Sequence, residues 1–233
     1  RTDPLKNCLF CNGKVSQNLS IQKLFSFHTL EEDLTCPKCF EQFIAINPKT
    51  ACPGCSRQQE EPDWCSDCIK WKKYLPSVEP RHKALFEYNE MARQYMNAFK
   101  FQGDVVLAKV FRKQLKKALK PYLKTHRITT IPSRSSSYQK RGFNQVELLL
   151  KSAEIPYDSL IIHAKETVLQ SSQNRQERLR AVQPFEMNDR MKHENMTKPV
   201  LILDDVYTTG RTIFHARELL ETSVMTSSIS LFR

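Results

Sequence analysis

All eight cysteines of this 233-residue chain fall into four CxxC pairs, Cys8/Cys11, Cys36/Cys39, Cys52/Cys55 and Cys65/Cys68, with none left over. Two thiolates two residues apart grip one side of a tetrahedral ion when the turn between them points both sulfurs inward, and a second pair closes the shell. Four pairs therefore predict two zinc sites of four cysteines each. Asn12-Gly13, Pro37 and Pro53-Gly54 supply tight-turn residues in or beside three of the pairs. The regular pairing favours metal over disulfides in a chain read as intracellular, and its even distribution fits zinc ribbons better than iron–sulfur ligation. A sequential scheme puts Cys8, Cys11, Cys36 and Cys39 on one ion and Cys52, Cys55, Cys65 and Cys68 on the other; a cross-braced scheme and His28 as a substitute ligand stay open. No general base or open coordination position accompanies the pairs, so the zinc is expected to be structural and to contribute folding energy to a segment poor in large apolar residues. Trp64 and Trp71 are expected to pack around the second site, with stacking on nucleic-acid bases as the alternative.

After Cys68 the composition changes. Leu75-Pro76-Ser77-Val78-Glu79-Pro80 has two prolines and no period and reads as a linker, dividing the chain into a cysteine-rich module over 1–74 and a larger body over 75–233. No apolar stretch approaches the roughly 18 residues of a membrane helix. Arg1 to Asn18 has no apolar core of the secretory kind, so the expected location is cytoplasmic. A net charge of +11 points to an anionic partner, either nucleic acid or a phosphorylated small molecule. The cations cluster on two segments. Lys113, Lys116, Lys117 and Lys120 on one, with Arg175 and Arg178 on the other, are candidate contacts to a DNA backbone; a solvated helix face plus a loop is the competing reading.

Within the body, strand and helix patterns alternate. Strands are predicted at Lys83–Tyr88, Ile128–Pro132, Ser159–His163, Val200–Leu203 and around Ile229 and Leu231. Helices are predicted over Met91–Phe99, from Leu107 to Leu119 with Pro121 as terminator, from Val146, and over Ile213–Leu220. A Ser/Arg-rich loop should follow Pro132. Phe143 and Leu148–Leu150 should be core. The alternation predicts an α/β fold with a parallel sheet flanked by helices and a ligand site beyond the carboxyl ends of the strands.

The apolar run Val200-Leu201-Ile202-Leu203, the signature of a strand buried on both faces, ends in Asp204 and Asp205. Thr208-Thr209-Gly210-Arg211-Thr212 then leads into a helix. Such a turn offers backbone N–H groups and hydroxyls at a helix N-terminus, where phosphate is favoured, while carboxylates just upstream suit a vicinal diol. The implied ligand carries hydroxyls at one end and phosphate at the other.

The run Val200 to Thr212 closely resembles the phosphoribosyl pyrophosphate motif of type I phosphoribosyltransferases. Together with Arg141-Gly142-Phe143-Asn144-Gln145, the segment Phe99 to Asp104 and the four CxxC pairs, it makes essentially the whole chain similar to the ComF family of competence proteins. The resemblance implies a type I phosphoribosyltransferase-like domain behind a small zinc-ribbon module, in a cytoplasmic late-competence factor for uptake of transforming DNA. Implied partners are single-stranded DNA, the DNA-translocating ATPase ComFA and a phosphoribosyl pyrophosphate (PRPP)-like ligand, with recruitment to the inner face of the membrane coming through partners. Carried over, Asp204 and Asp205 hold the ribose hydroxyls, and Thr208, Thr209, Gly210, Arg211 and Thr212 the 5′-phosphate. Ser133, Arg134 and Arg141 fall where pyrophosphate binds, and Asp204, Asp205 and Arg141 are the candidate catalytic residues. Gln173 to Arg180 falls where such folds carry a lid. Arg211 departs from the motif, standing where a small alanine is usual, and adds a cation beside the cradle. The alternative function is an active phosphoribosyltransferase using Mg2+ with PRPP and an unidentified acceptor.

Overall fold

The computed structural model describes residues 7–15, 33–101, 103–164, 183–189 and 196–233. Four strands, β1 (His82–Phe86), β2 (Arg127–Thr130), β5 (Val200–Val206) and β6 (Thr226–Phe232), form a fully parallel sheet in the order β1-β6-β5-β2. β5 is interior and covered on both sides, which is why Val200 through Leu203 are all buried. A separate antiparallel pair, β3 (Ile161–His163) and β4 (Phe185–Met187), takes the predicted Ser159–His163 strand out of the main sheet.

Helices α3 (Glu90–Phe101), α4 (Arg112–Leu119) and α6 (Gln145–Ser152) share one core cluster with Leu201, Leu203, Ile229 and Leu231. Helix α7 (Arg211–Glu221) packs with Val200 and Ile202 in a second cluster. The Leu107–Leu119 stripe is two pieces rather than one helix. A 3-10 turn at Val105–Lys109, capped by the Asp104 side chain accepting from the Val106 N–H, precedes α4. At the break, Val110-Phe111, Phe111 is completely buried among Phe43, Phe86, Tyr95 and Phe232. The predicted Ser/Arg loop contains a short helix, α5 (Ser135–Arg141), stopped by Gly142 at φ 78°. None of its residues is buried, so the sequence held no apolar stripe to reveal it.

The polar β6 has a specific explanation. Ser228 and Ser230 present their hydroxyls to the two ring nitrogens of the buried His82, each at 2.9 Å. Burial, together with the charges of Arg233 and Arg217, holds that imidazole well below its usual pKa and therefore neutral. Arg217, also buried, bonds Glu221 at 2.6 Å and Thr226 at 2.9 Å.

The cysteine-rich segment does not stand apart from this body. Ile44 and Ile46 bond across to β1 and the residue after it, through Glu87 N–H to Ile44 O at 2.9 Å and Ile46 N–H to Leu85 O at 3.1 Å. Phe43 sits inside the main aromatic core, 4.8 Å from Phe111 and 6.2 Å from Phe232 between ring centroids. Cys52, Cys55, Cys65 and Cys68 belong to the second cluster, with Ile202 and Ile213. Residues 75–80 link two parts that share cores. Phe43→Ala is expected to cost about 3–5 kcal/mol, and in urea titrations tryptophan emission, which reports the cysteine segment, should change together with far-UV circular dichroism, which reports the body. An earlier, separate tryptophan transition would contradict a shared core.

Candidate functional site

Both cysteine groups are built from the same two-part unit. In each, a CxxC turn is closed by paired backbone bonds: Cys8 N–H to Gly13 O and Asn12 N–H to Cys8 O in the first, Cys52 N–H to Arg57 O and Ser56 N–H to Cys52 O in the second. The residue after the second cysteine is left-handed in both, Asn12 at φ 56° and Ser56 at φ 60°. The partner pair opens a helix with its first cysteine at the N-cap: Cys36 for α1 (Pro37–Phe40) and Cys65 for α2 (Ser66–Tyr74). The pairing is sequential, with the sulfurs of each quartet within 4.8 Å of one another. A tetrahedral ion about 2.3 Å from each sulfur sets sulfur–sulfur edges of about 3.8 Å. The structure has 3.8 Å for Cys11–Cys36, 3.7 Å for Cys52–Cys68 and 3.5 Å for Cys55–Cys65, far longer than a disulfide. Either quartet is thus spaced to hold one metal ion.

The thiols are prepared unequally. Burial works against ionising Cys8, but the backbone N–H groups of Cys36, Cys11 and Phe10 bring it down to about 6. Cys55 is brought down to about 5 by the Cys68 thiol, against burial and with help from the Arg233 guanidinium 3.5 Å from its sulfur. Four thiolates on a divalent ion leave two negative charges. At the second quartet Arg57, paired with Asp67, and Arg233 stand by to offset them. His28 lies outside the described residues.

At the carboxyl edge of the sheet, alternation along β5 sends Asp204 to the Ile202 side and Asp205 to the Leu203 side, so the space both reach is the edge itself. Asp205 pairs with Lys100 of α3 at 2.8 Å. Asp204 accepts the Asp205 N–H at 2.8 Å, and burial plus the Asp205 charge raise its pKa to about 7. Beyond them Thr208, Thr209, Arg211 and Thr212 are exposed and Gly210 is buried at the head of α7. Gly210 is required twice over: its φ is 84°, and an added Cβ would lie 2.1 Å from the Tyr207 hydroxyl oxygen.

Ile131 N–H bonds Leu203 O at 3.0 Å, so the loop carrying Ser133 and Arg134 leaves β2 beside the aspartates. Asn144 ties its far end back through Ile131 O at 3.0 Å while capping α6. Ser133 is half-buried, Arg134 exposed, and Arg141 half-buried in the last turn of α5. The basic-helix candidates are elsewhere, on α4: Lys113 pairs with Asp33, Lys116 with Glu154 at 2.9 Å, and Lys117 and Lys120 are exposed. Arg175 and Arg178 lie outside the described residues.

Three residues make contacts at this edge that the sequence does not announce, Trp71 among them although it is expected beside the second cysteine site. Lys100 lies within the Phe99 to Asp104 segment but had no role assigned there; Arg233 bonds Thr208 O at 2.7 Å; and Trp71 donates its indole N–H to Thr209 O at 2.7 Å. Nothing in their spacing forecasts these contacts, which span 25 residues for Arg233 and 138 for Trp71.

Fold and site define the class: a parallel α/β protein with two four-cysteine clusters of metal-binding type, one of them set against a glycine turn and a carboxylate pair at the strand ends. A scan of protein-family models returns no match. Among curated proteins, the chain is similar to the competence protein ComFC of Streptococcus pneumoniae, 34% identical over 214 residues covering 92% of this chain and 93% of the relative. It is also similar to the competence protein ComFC of Bacillus subtilis, 29% identical over 233 residues, 97% of this chain and 94% of the relative. The chain belongs to the ComFC family. Solved structures with partial likeness include the APRTase of Giardia lamblia (TM-score 0.37, 17% identity, 61% of this chain and 71% of that one) and a hypoxanthine phosphoribosyltransferase of Staphylococcus aureus (TM-score 0.32, 15% identity, 54% and 61%). Among the described residues no helix is long and apolar enough to cross a membrane.

Two outcomes follow. Purified protein should carry two metal ions per chain by elemental analysis, and a content below one would contradict both quartets. Because the folded pKa of Asp204 is raised, the native state binds the extra proton between about pH 4 and pH 7, and stability should decline as pH rises through that window. Asp204→Asn, which keeps an acceptor for the Asp205 N–H, should flatten that decline and stabilise the ligand-free protein at pH 8 by about 1–2 kcal/mol; an unchanged pH profile in denaturant melts would count against the raised pKa.

Proposed function

We propose that the carboxyl edge of the sheet binds a phosphoribosyl pyrophosphate-like ligand and that the protein serves in competence, handling transforming single-stranded DNA during uptake. The observation that carries the ligand reading is the sequence in space from Asp204 and Asp205 at the end of β5 to the exposed turn 208–212 at the head of α7. Asp204 and Asp205 would accept hydrogen bonds from the ribose hydroxyls. The Thr208–Thr212 turn would hold the 5′-phosphate through backbone N–H groups and hydroxyls. Ser133, Arg134 and Arg141, on the adjoining loop and helix, would meet the pyrophosphate. Lys100, on Asp205, offsets the repulsion between that carboxylate and an anionic ligand. The role in competence is supported by family membership and by the +11 charge, which suits an anionic polymer. Single-stranded DNA and the ATPase ComFA are the proposed partners, the cytoplasm, with recruitment to the membrane's inner face through partners, the proposed location, and zinc the proposed occupant of the cysteine quartets: tetrathiolate donors at tetrahedral edge lengths suit it.

The second reading is phosphoribosyl transfer, and the carboxylate pair beside the anion turn favours it. Displacing pyrophosphate from C1 of the ribose needs positioning and charge stabilisation rather than a protein nucleophile. Mg2+ brought with pyrophosphate would neutralise the departing charge, with Asp204 as the carboxylate not already paired to Lys100. The residues' own part is to orient the ribose and cradle both phosphate ends.

Calorimetry with PRPP and Mg2+ tests the ligand reading. Wild type should show saturable binding, and Asp204→Ala combined with Asp205→Ala should weaken it at least tenfold, by about 1.4 kcal/mol or more; equal heats would remove the site. Pyrophosphate release across a panel of bases, with and without single-stranded DNA, separates a binding protein from a transferase.

A further inference from the structure

The second cysteine quartet lies against the anion turn through two side chains that no part of the ligand reading requires. Trp71 is one helical turn beyond Cys68 on α2. Its ring stacks on Phe214 of α7 with centroids 4.3 Å apart and planes 9° apart, and its N–H meets Thr209 O at 2.7 Å. Arg233, whose side chain is 8% exposed, reaches from the end of β6 to three places at once. It touches Cys55 Sγ at 3.5 Å, Thr208 O at 2.7 Å and the face of the Tyr207 ring, 4.9 Å from its centroid. A third strut runs from Gly54 O, which accepts the His82 N–H at 3.0 Å, through the His82 ring stacked 4.1 Å from Tyr207.

The consequence follows from the planarity of the peptide bond. In a trans peptide the carbonyl and the next residue's N–H point in opposite directions. Drawing Thr208 O inward onto Arg233 turns the Thr209 N–H outward, and drawing Thr209 O onto Trp71 does the same to the Gly210 N–H. Among the described residues neither of these N–H groups has an acceptor, although each belongs to a turn otherwise tied down on its inner side. Two adjacent outward N–H groups at a helix start make a concave anion seat. A turn left to itself would sample orientations that scatter them.

We propose that Trp71 and Arg233 are positioning residues for the anion turn, aiming the Thr209 and Gly210 N–H groups at a bound phosphate by anchoring the turn to the Cys52/Cys55/Cys65/Cys68 cluster. This deepens the phosphoribosyl reading and rests on it for the identity of the anion. The cluster's own contribution is to fix Cys55 and α2 relative to each other, and so to fix the two anchors. Neither residue touches the ligand or takes part in bond making.

The test uses the full chain with both quartets metal-loaded, in wild type, Trp71→Phe, which keeps the ring stack on Phe214 but loses the N–H donor, and Arg233→Lys, which keeps charge but loses the fork. Three quantities are read: metal content, hydrogen–deuterium exchange of the peptide spanning Thr208–Phe214, and affinity for PRPP with Mg2+. Each variant should retain two metals and a single cooperative urea transition, while turn exchange accelerates and affinity falls roughly fivefold, the effect of one lost hydrogen bond. Removing metal from wild type with a chelator should accelerate exchange in the same peptide. Exchange and affinity both within twofold of wild type in the two variants would overturn the proposal. If wild type binds no PRPP, the ligand reading fails by itself, and the exchange arm alone decides whether Trp71 and Arg233 order the turn.

Discussion

Four sulfurs held within 4.8 Å of one another at Cys52, Cys55, Cys65 and Cys68 sit where the elements flanking the turn at 208–210 meet. They join the turn at Cys52–Cys55, whose Gly54 carbonyl bonds the start of β1, to α2, whose Trp71 bonds the turn leading into α7. Space around the cluster is tight: a Cβ on Gly54 would lie 2.4 Å from the Trp64 ring. A metal ion on these four sulfurs would add its binding energy to what the shared apolar clusters supply.

The other half of the edge is organised by charge. Two adjacent carboxylates at the end of a buried strand repel each other, and the fold meets the cost in two ways: Asp205 is neutralised by Lys100, and Asp204 is left with a raised pKa. Such a pair destabilises the ligand-free protein and is ready for groups that donate hydrogen bonds or carry positive charge. Strain of this kind, next to an exposed turn with outward N–H groups, supports the ligand-binding role proposed for this edge.

Much of this was legible in the sequence. The CxxC spacing disclosed the four pairs, because ligand geometry is local, but left sequential and cross-braced partners open until the sulfurs were seen together. Val200 to Leu203 disclosed an interior strand, and Thr208 to Thr212 a turn at a helix start, because buried strands and glycine turns leave short-range signatures. What stayed hidden was relational. The split at Val110-Phe111 lies beside an aromatic cluster assembled from Phe43 to Phe232; β4 is three residues long and pairs the predicted strand at Ile161–His163 outside the main sheet; and the serines of β6 make sense only beside His82. A proline-bearing segment at 75–80 reads as a divider, although the parts on either side share two cores. Trp71 and Arg233 belong to the same class, since their meaning lies in carbonyl oxygens far away along the chain.

In the proposed arrangement the Thr209 and Gly210 N–H groups seat an anion at the edge bearing Asp204 and Asp205. Nitrogen–proton correlation spectra recorded during titration with PRPP and Mg2+ address it most directly. The amide protons of Thr209 and Gly210 should move downfield together and saturate with the ligand, as charge-assisted hydrogen bonds require. Saturating shifts confined to the α4 lysine region, with these two amides unmoved, would contradict it.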